Sequence, residues 1–258
     1  MTTATTNSRT SGKVIRTSTL NKVNSFMTGT VRRGQFSALF GSTGRGKTFL
    51  VRTWAADREH AVYVRARTGT TQAKLRKQIS GAIFKSENMG ESAIVKYFID
   101  NPGAVLIIDE AVHLIGNYTY GGLTTLDSVR DIFDEVSDSG GKMGVVMIFT
   151  EYNLERLRKC RLSSFLAQFI NRFDNHLDLG SKASYAYEIK PTIDELLPGS
   201  GPEIYDFFKD FSDIRSLHKR IGVALDMAAH GDPPQPVSLL MLQKIQEQFE
   251  TGKYKDEL

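Results

Sequence analysis

Along the first two-thirds of the chain, short apolar runs alternate with longer stretches of helical periodicity. Residues 35–40 read as a short buried strand and 61–66 as a second, with Val62 and Val64 on one face. Ala104 to Ile108 is an unbroken apolar run, the pattern of a central parallel strand covered on both faces. Residues 144–149 repeat it, and 176–179 read as a short last strand. Between the strands the spacing predicts helices over 48–57, 72–84, 91–101 (ended by Pro102), 123–139 and 154–173. A short helix and turn over 20–34 lead into the core. Strands alternating with helices predict an α/β fold with a mainly parallel sheet flanked by helices.

After Lys190 the strand signal stops. Helices are expected over 192–197, 202–211, 213–230 and 237–250, punctuated by Pro191, Pro198, Pro202, Pro233 and Pro234 and by intervening glycines. Thr192 and Glu195 have capping-box spacing, and Asp213 is placed to cap a helix. The expected organisation is a flexible basic arm over 1–19, an α/β core over 20–190, a helical lid over 191–250 and a tail over 251–258. A chain of 258 residues is long enough for such a core and a small second unit.

Composition narrows the class. Apolar residues make up 40% and charged residues 24%, which excludes collagen-like, low-complexity and wholly disordered chains. No apolar run approaches the ~18 residues of a membrane span. Cys160 stands alone, so no intrachain disulfide or cysteine cluster forms, and a reducing compartment is the default. The net charge of +4 is mild, but no Asp or Glu precedes Asp57, whereas Arg9, Lys13, Arg16, Lys22, Arg32, Arg33, Arg45, Lys47 and Arg52 all do. A one-sided basic block points to an anionic partner. The first 30 or so residues, rich in Ser and Thr, read as a basic arm rather than a transit peptide. Lys255-Asp256-Glu257-Leu258 spells an endoplasmic-reticulum retention signal, which has no meaning without a secretory leader. The expected location is the cytoplasm of a bacterial or mobile-element host cell.

The candidate chemistry begins at Gly41-Ser42-Thr43-Gly44-Arg45-Gly46-Lys47-Thr48, which fits G-x-x-x-x-G-K-[ST] between an expected strand and an expected helix. Glycines let successive N–H groups turn inward around phosphate oxygens, and the helix N-terminus adds partial positive charge. Lys47 is expected to reach the β- and γ-phosphates of ATP and the Thr48 hydroxyl to bind Mg²⁺; Phe49 follows in the same segment. Val105-Leu106-Ile107-Ile108-Asp109-Glu110 delivers two acids at a strand's C-terminal end. Asp109 is expected to hold Mg²⁺ and Glu110 to orient the attacking water. Thr150, Arg172 and Arg215 are further candidates: a polar strand end near the attacking water, an arginine finger for a neighbouring subunit, and a phosphate contact from the helical unit. His113 reads as structural. Cys160, among Arg156, Arg158, Lys159 and Arg161, reads as part of a helix face. Thr71, Lys74, Arg76 and Lys77, preceded by Thr68 and Thr70, form a hydroxyl-and-cation cluster suited to non-specific DNA phosphate contacts. Tyr118 and Tyr120 lie in a glycine-bounded loop.

Together these segments resemble the P-loop AAA+ ATPases, and among them the transposition regulators of the Mu transposition protein B and TnsC-type kind. The likeness rests on Leu106 to Leu114, on Phe165 to Phe173 and on Ile214-Arg215-Ser216-Leu217, within a span of roughly 30–250. It implies an AAA+ core with a C-terminal helical lid. It also implies an oligomer, filament or ring, assembled with ATP on double-stranded DNA, which selects target DNA and activates a transposase until hydrolysis disassembles it. Two departures stand out: no helix-turn-helix domain precedes the core in this sequence, and Thr150 replaces the common Asn. The competing expectation is an AAA+ ATPase with a protein client, of secretion, defence or helicase-loader type.

Overall fold

The computed structural model describes residues 14–115, 120–150, 169–231 and 235–252, with the backbone alone at 120–123. It divides into two compact units, Asn21–Ser181 and, separately, Lys182 onward with the residues up to Leu20. Tyr118, Cys160 and its basic neighbours, the arm before residue 14 and the last six residues lie outside the described residues, as does most of the helix expected over 154–173.

The first unit is built on five parallel strands: β1 (Phe36–Phe40), β2 (Ala61–Arg65), β3 (Val105–Asp109), β4 (Gly144–Ile148) and β5 (Asn175–Asp178), in the order β2-β3-β4-β1-β5. β1, β3 and β4 are buried at every position, which is why they are mostly apolar rather than alternating; the polar exceptions are Ser37, bonded to Thr30, and Asp109 at the end of β3. β2 is an edge strand and keeps alternation, so Val62 and Val64 are buried while Tyr63 and Arg65 lie on the other face. The helices in chain order are α1 (Ser18–Arg33), α2 (Lys47–Ala56), α3 (Gln72–Phe84), α4 (Glu91–Asp100) and α5 (Tyr120–Asp138). A 3₁₀ turn, Ala111–Ile115, follows β3. Phe36, Ala38, Phe40, Val62, Val64, Leu106, Ile108, Val145 and Met147 form one sheet face and share a core with Leu75, Ile79, Ile94, Phe98, Leu126, Val129 and Ile132 of α3, α4 and α5. Register fixes what faces what: Tyr63 lies beside Ile107 and Arg65 beside Asp109.

The second unit is helical, as its sequence predicts. A π-helical turn, Tyr185–Ile189, runs into α6 (Lys190–Leu196), followed by α7 (Pro202–Phe208), α8 (Ile214–Ala229) and α9 (Leu239–Glu250). Ile189, Ile193, Phe208, Leu217, Ile221, Leu242 and Ile245 form its core. Arg220 on α8 bonds Gln246 on α9 at 2.6 Å with its guanidinium over Phe249, and burial lowers its pKa. Asp213 caps α8 as expected, its carboxylate accepting from the Arg215 N–H at 2.8 Å. The capping box at Thr192 and Glu195 is not formed. The helix begins earlier, so Thr192 is already inside it and its hydroxyl donates back to the Glu188 carbonyl at 2.7 Å. Pro191 is tolerated because it falls in the first turn, where no N–H is needed.

Candidate functional site

In a parallel sheet the C-terminal strand ends share one edge. Here β3, β4 and β1 are neighbours, so Asp109 and Glu110, Thr150 and the glycine-rich loop 41–46 leave the sheet side by side. That adjacency comes from the strand order, because β1 pairs with β4 and β5 rather than with β2, its successor in sequence.

The loop closes on its own lysine. Lys47, 8% exposed, donates to the carbonyls of Gly41 at 2.6 Å and Ser42 at 2.9 Å. Gly46 ends the loop at φ 75°, the left-handed conformation in which an L side chain is strained, and opens α2 without a side-chain cap. The first N–H groups of a helix have no partner within the helix, the setting that suits an anion. At Gly41, φ 151°, a Cβ would meet the Leu179 Cβ at 3.1 Å, so the loop runs hard against the segment after β5. Two residues fix that approach: Ser42 N–H donates to the Gly180 carbonyl at 3.2 Å, and Arg45 donates twice to the Leu179 carbonyl at 3.0 and 3.2 Å. Arg45 is thus a buried strut of the loop. Phe49, one residue past Thr48, is half exposed on α2.

Asp109 is 1% exposed, and three donors converge on its carboxylate. Thr48 Oγ1 and Tyr63 OH donate to Oδ2 at 2.8 and 2.7 Å, and the Glu110 N–H donates to Oδ1 at 2.9 Å. Thr48 and Asp109 present a pair of hard oxygens, the donor type magnesium takes, beside a loop suited to phosphates. No cluster of three or more His, Cys, Asp or Glu exists among the described residues. A magnesium held by one carboxylate, one hydroxyl and substrate phosphates needs none.

Glu110 sits at φ 53°, and Lys85 is the one other non-glycine residue with positive φ among the described residues. Such a conformation costs on the order of 1–3 kcal/mol and persists where the surroundings enforce it. Here the Asp109–Glu110 bond enforces it from one side, and the 3₁₀ turn begins immediately on the other, with His113 N–H donating to the Glu110 carbonyl. Arg65 lies 3.6 Å from the Glu110 carboxylate. The His113 ring stands beside the Thr68 hydroxyl, 3.5 Å away, which suits the structural role expected of it.

Tyr63 and Arg65 were not among the sequence candidates. Both occupy the outward phase of β2, and the register that sets Arg65 beside Asp109 brings them to the two acids. The alternation was visible; the strand neighbour was not. Burial, and then the bond to Asp109, push the Tyr63 phenol above its ordinary pKa, so it remains a neutral donor across physiological pH. The Arg52 guanidinium lies over its ring at 5.4 Å. Tyr63→Phe is expected to lower stability by about 1.5–3 kcal/mol, the range for a bond to a charged partner, in urea unfolding. An unchanged midpoint would show that the hydroxyl does not hold Asp109.

Thr150 follows β4 and is partly buried, at the shared edge. Arg172 is exposed in the turn between Phe169 and Phe173, both packed on Phe36. Arg215 is exposed in the first turn of α8, in the helical unit. Of the proposed DNA contacts, Lys74 and Lys77 are exposed on α3. The other two are engaged locally: Arg76 forms an ion pair with Glu91 at 2.6 Å, and Thr71 caps α3.

A phosphate loop after β1 and an Asp-Glu end on β3, with β4 between them, define the site. Residues 31–157 match the family described as an AAA domain, and the fold is a P-loop, AAA-like parallel sheet flanked by helices. The Drosophila ORC structure, solved bound to DNA, is similar with a TM-score of 0.59 at 18% identity over 92% of this chain. A Walker-type ATPase of Pyrococcus abyssi gives 0.62 at 14% over 92%, covering 74% of that chain. NtrX of Brucella abortus, in complex with ATP, gives 0.57 at 16% over 95%. This chain spans 62% of both the ORC and the NtrX chains. At these identities the likeness is one of fold. No curated protein matches the sequence.

Proposed function

We propose that this protein hydrolyses ATP and that nucleotide binding drives its assembly on double-stranded DNA, where it selects target DNA and activates a transposase. The observation that carries the hydrolysis is the joining of Lys47, Thr48, Asp109 and Glu110 at one strand edge. Phosphoryl transfer needs positioning and charge neutralisation rather than a covalent intermediate. The loop N–H groups and Lys47 hold the β- and γ-phosphates. Thr48 and Asp109 hold the magnesium, which neutralises phosphate charge when bound with the nucleotide. Glu110 orients the attacking water and takes its proton, with Thr150 as a second polar contact. Arg215 is the candidate phosphate residue of the helical unit expected over 191–250.

The oligomer reading is supported by Arg172, exposed in its turn and suited to a neighbour's nucleotide. The DNA reading is supported by exposed Lys74 and Lys77, and by the ORC fold neighbour, which was solved on DNA. The transposase role rests on the sequence resemblance.

The test measures ATP turnover with and without duplex DNA, alongside electron microscopy of the same samples. DNA-stimulated turnover and ATP-dependent assemblies on DNA are expected. Equal rates and bare DNA would instead favour a protein client. Glu110→Gln is expected to retain ATP and DNA binding while turnover falls about 10²–10⁴-fold, leaving assemblies that persist on DNA. The ion pair with Arg65 that it removes lies at the surface and is worth at most about 1 kcal/mol, so the fold survives. Turnover at the unsubstituted rate would remove Glu110 from the reaction.

A further inference from the structure

A groove of about 570 Å³ runs along the open edge of the sheet, between β2 and the second half of α3. Tyr63, Val64 and Arg65 form one wall, and Lys77, Gln78 and Gly81 form the other. Arg67 and Lys85 also line it, with Glu87 the one carboxylate among the lining residues. Four cations therefore face a single acid.

Their charges are available. Arg67, Lys77 and Lys85 are exposed, and no ion pair ties any of the three to a carboxylate among the described residues. Arg76, one residue before Lys77, is by contrast paired with Glu91. Helical rotation separates the two, so the basic run on α3 is not one patch: Lys77 belongs to the groove, and Arg76 holds α4.

Lys85 supplies an independent observation. It follows α3 at φ 56°, the left-handed helix-ending position that glycine occupies without strain. A lysine there costs stability, and its side chain lines the groove. Strain of this kind gathers at functional positions, and the other strained non-glycine residue among those described is Glu110. The polar wall completes the fit: Gln78 donates to the Arg65 carbonyl at 3.4 Å, while its buried Oε1 has no partner among the described residues.

We propose that this groove binds the phosphodiester backbone of DNA, with Arg67, Lys77 and Lys85 as the contacts. The proposal rests on the DNA-binding reading above and moves its centre from the start of α3 to the groove beside β2. Exposed cations, free of ion pairs among the described residues and flanking an open groove, suit a backbone read for charge rather than sequence. Arg65 closes the inner end but also touches Glu110, so it is left intact in the test.

The experiment follows fluorescence anisotropy of a labelled 30-base-pair duplex with the full chain and a non-hydrolysable ATP analogue, over a series of salt concentrations. Arg67→Glu with Lys85→Glu is expected to weaken binding at least tenfold. The slope of log affinity against log salt should become shallower by about 0.9 for each phosphate that the variant no longer neutralises. Affinity for the ATP analogue should not change. Lys85→Gly is expected to weaken DNA binding while its Tm stays at or above that of the unsubstituted protein, because glycine accepts the backbone angle. That pairing separates a missing DNA contact from a damaged fold. Unsubstituted protein that binds DNA, with a double variant matching its affinity and slope, would overturn the groove and leave the DNA reading standing. Failure of the unsubstituted protein to bind DNA in any nucleotide state would overturn both. Loss of binding to labelled poly-glutamate but not to DNA would overturn the groove's assignment to nucleic acid and make it a site for acidic protein segments.

Discussion

Lys47→Ala is expected to abolish nucleotide binding and every activity that depends on it. The Lys47 ammonium is already in place, held by the Gly41 and Ser42 carbonyls and almost fully buried in the mouth of its own loop. A phosphate arriving there exchanges those neutral acceptors for charge-assisted bonds, and the ammonium gives up little entropy to meet it. Two such bonds are worth about 3–6 kcal/mol together. Their loss raises Kd by more than about 10². The remaining N–H groups and the α2 dipole cannot replace them, since a helix terminus contributes about 0.3–1 kcal/mol when exposed to solvent. Titration calorimetry with an ATP analogue reads the effect directly, and a melting curve without nucleotide shows whether the loop still folds. An affinity matching the unsubstituted protein would remove the loop from nucleotide binding.

Arg172→Ala is expected to lower turnover by about 10³–10⁵, the range for a finger acting in trans, without changing the ATP affinity of the isolated subunit. The segment is built to hold an arginine outward. Phe169 is buried, Phe173 stacks on Phe36 at 5.4 Å, and the Arg172 N–H closes a turn on the Phe169 carbonyl. One residue past Phe173, Asp174 accepts from the Phe36 N–H at 2.8 Å. Between these anchors Arg172 is exposed, where another subunit can receive it. Charge develops on the transferring phosphoryl, so a guanidinium arriving there stabilises the transition state more than the bound substrate. A mixing experiment separates a finger from a merely structural arginine. Arg172→Ala subunits have an intact nucleotide site, and Glu110→Gln subunits have an intact Arg172. Mixing the two should restore turnover that neither shows alone. A mixture no faster than its components would place the role of Arg172 within its own subunit.

The sequence by itself marked most of the described strands and helices and a candidate phosphate loop. Apolar runs marked β3 and β4, because strands covered on both faces are mostly apolar. The glycine pattern at 41–46 was legible as a candidate phosphate loop, because such a loop needs backbone angles glycine adopts freely, and Gly41, Gly44 and Gly46 all take positive φ. Asp213 was legible as a cap because capping is a contact between residues close in sequence. Thr192 was misread for a related reason: its spacing fitted a cap, but where a helix starts depends on what precedes it, and the π-helical turn moved the start to Lys190.

Tertiary structure decided which side chains meet. The order β2-β3-β4-β1-β5 set Thr48 and Asp109, 61 residues apart in sequence, within 2.8 Å. It also brought Tyr63 and Arg65 from an edge strand to the two acids. It divided the basic run on α3 as well, giving Arg76 to Glu91 and Lys77 to the groove with Arg67 and Lys85. Periodicity fixes the face on which a residue lies; only strand order and register fix the neighbour across it. The chemistry of the phosphate loop is therefore written locally, while the setting of Asp109 and Glu110 exists only once the sheet has closed around them.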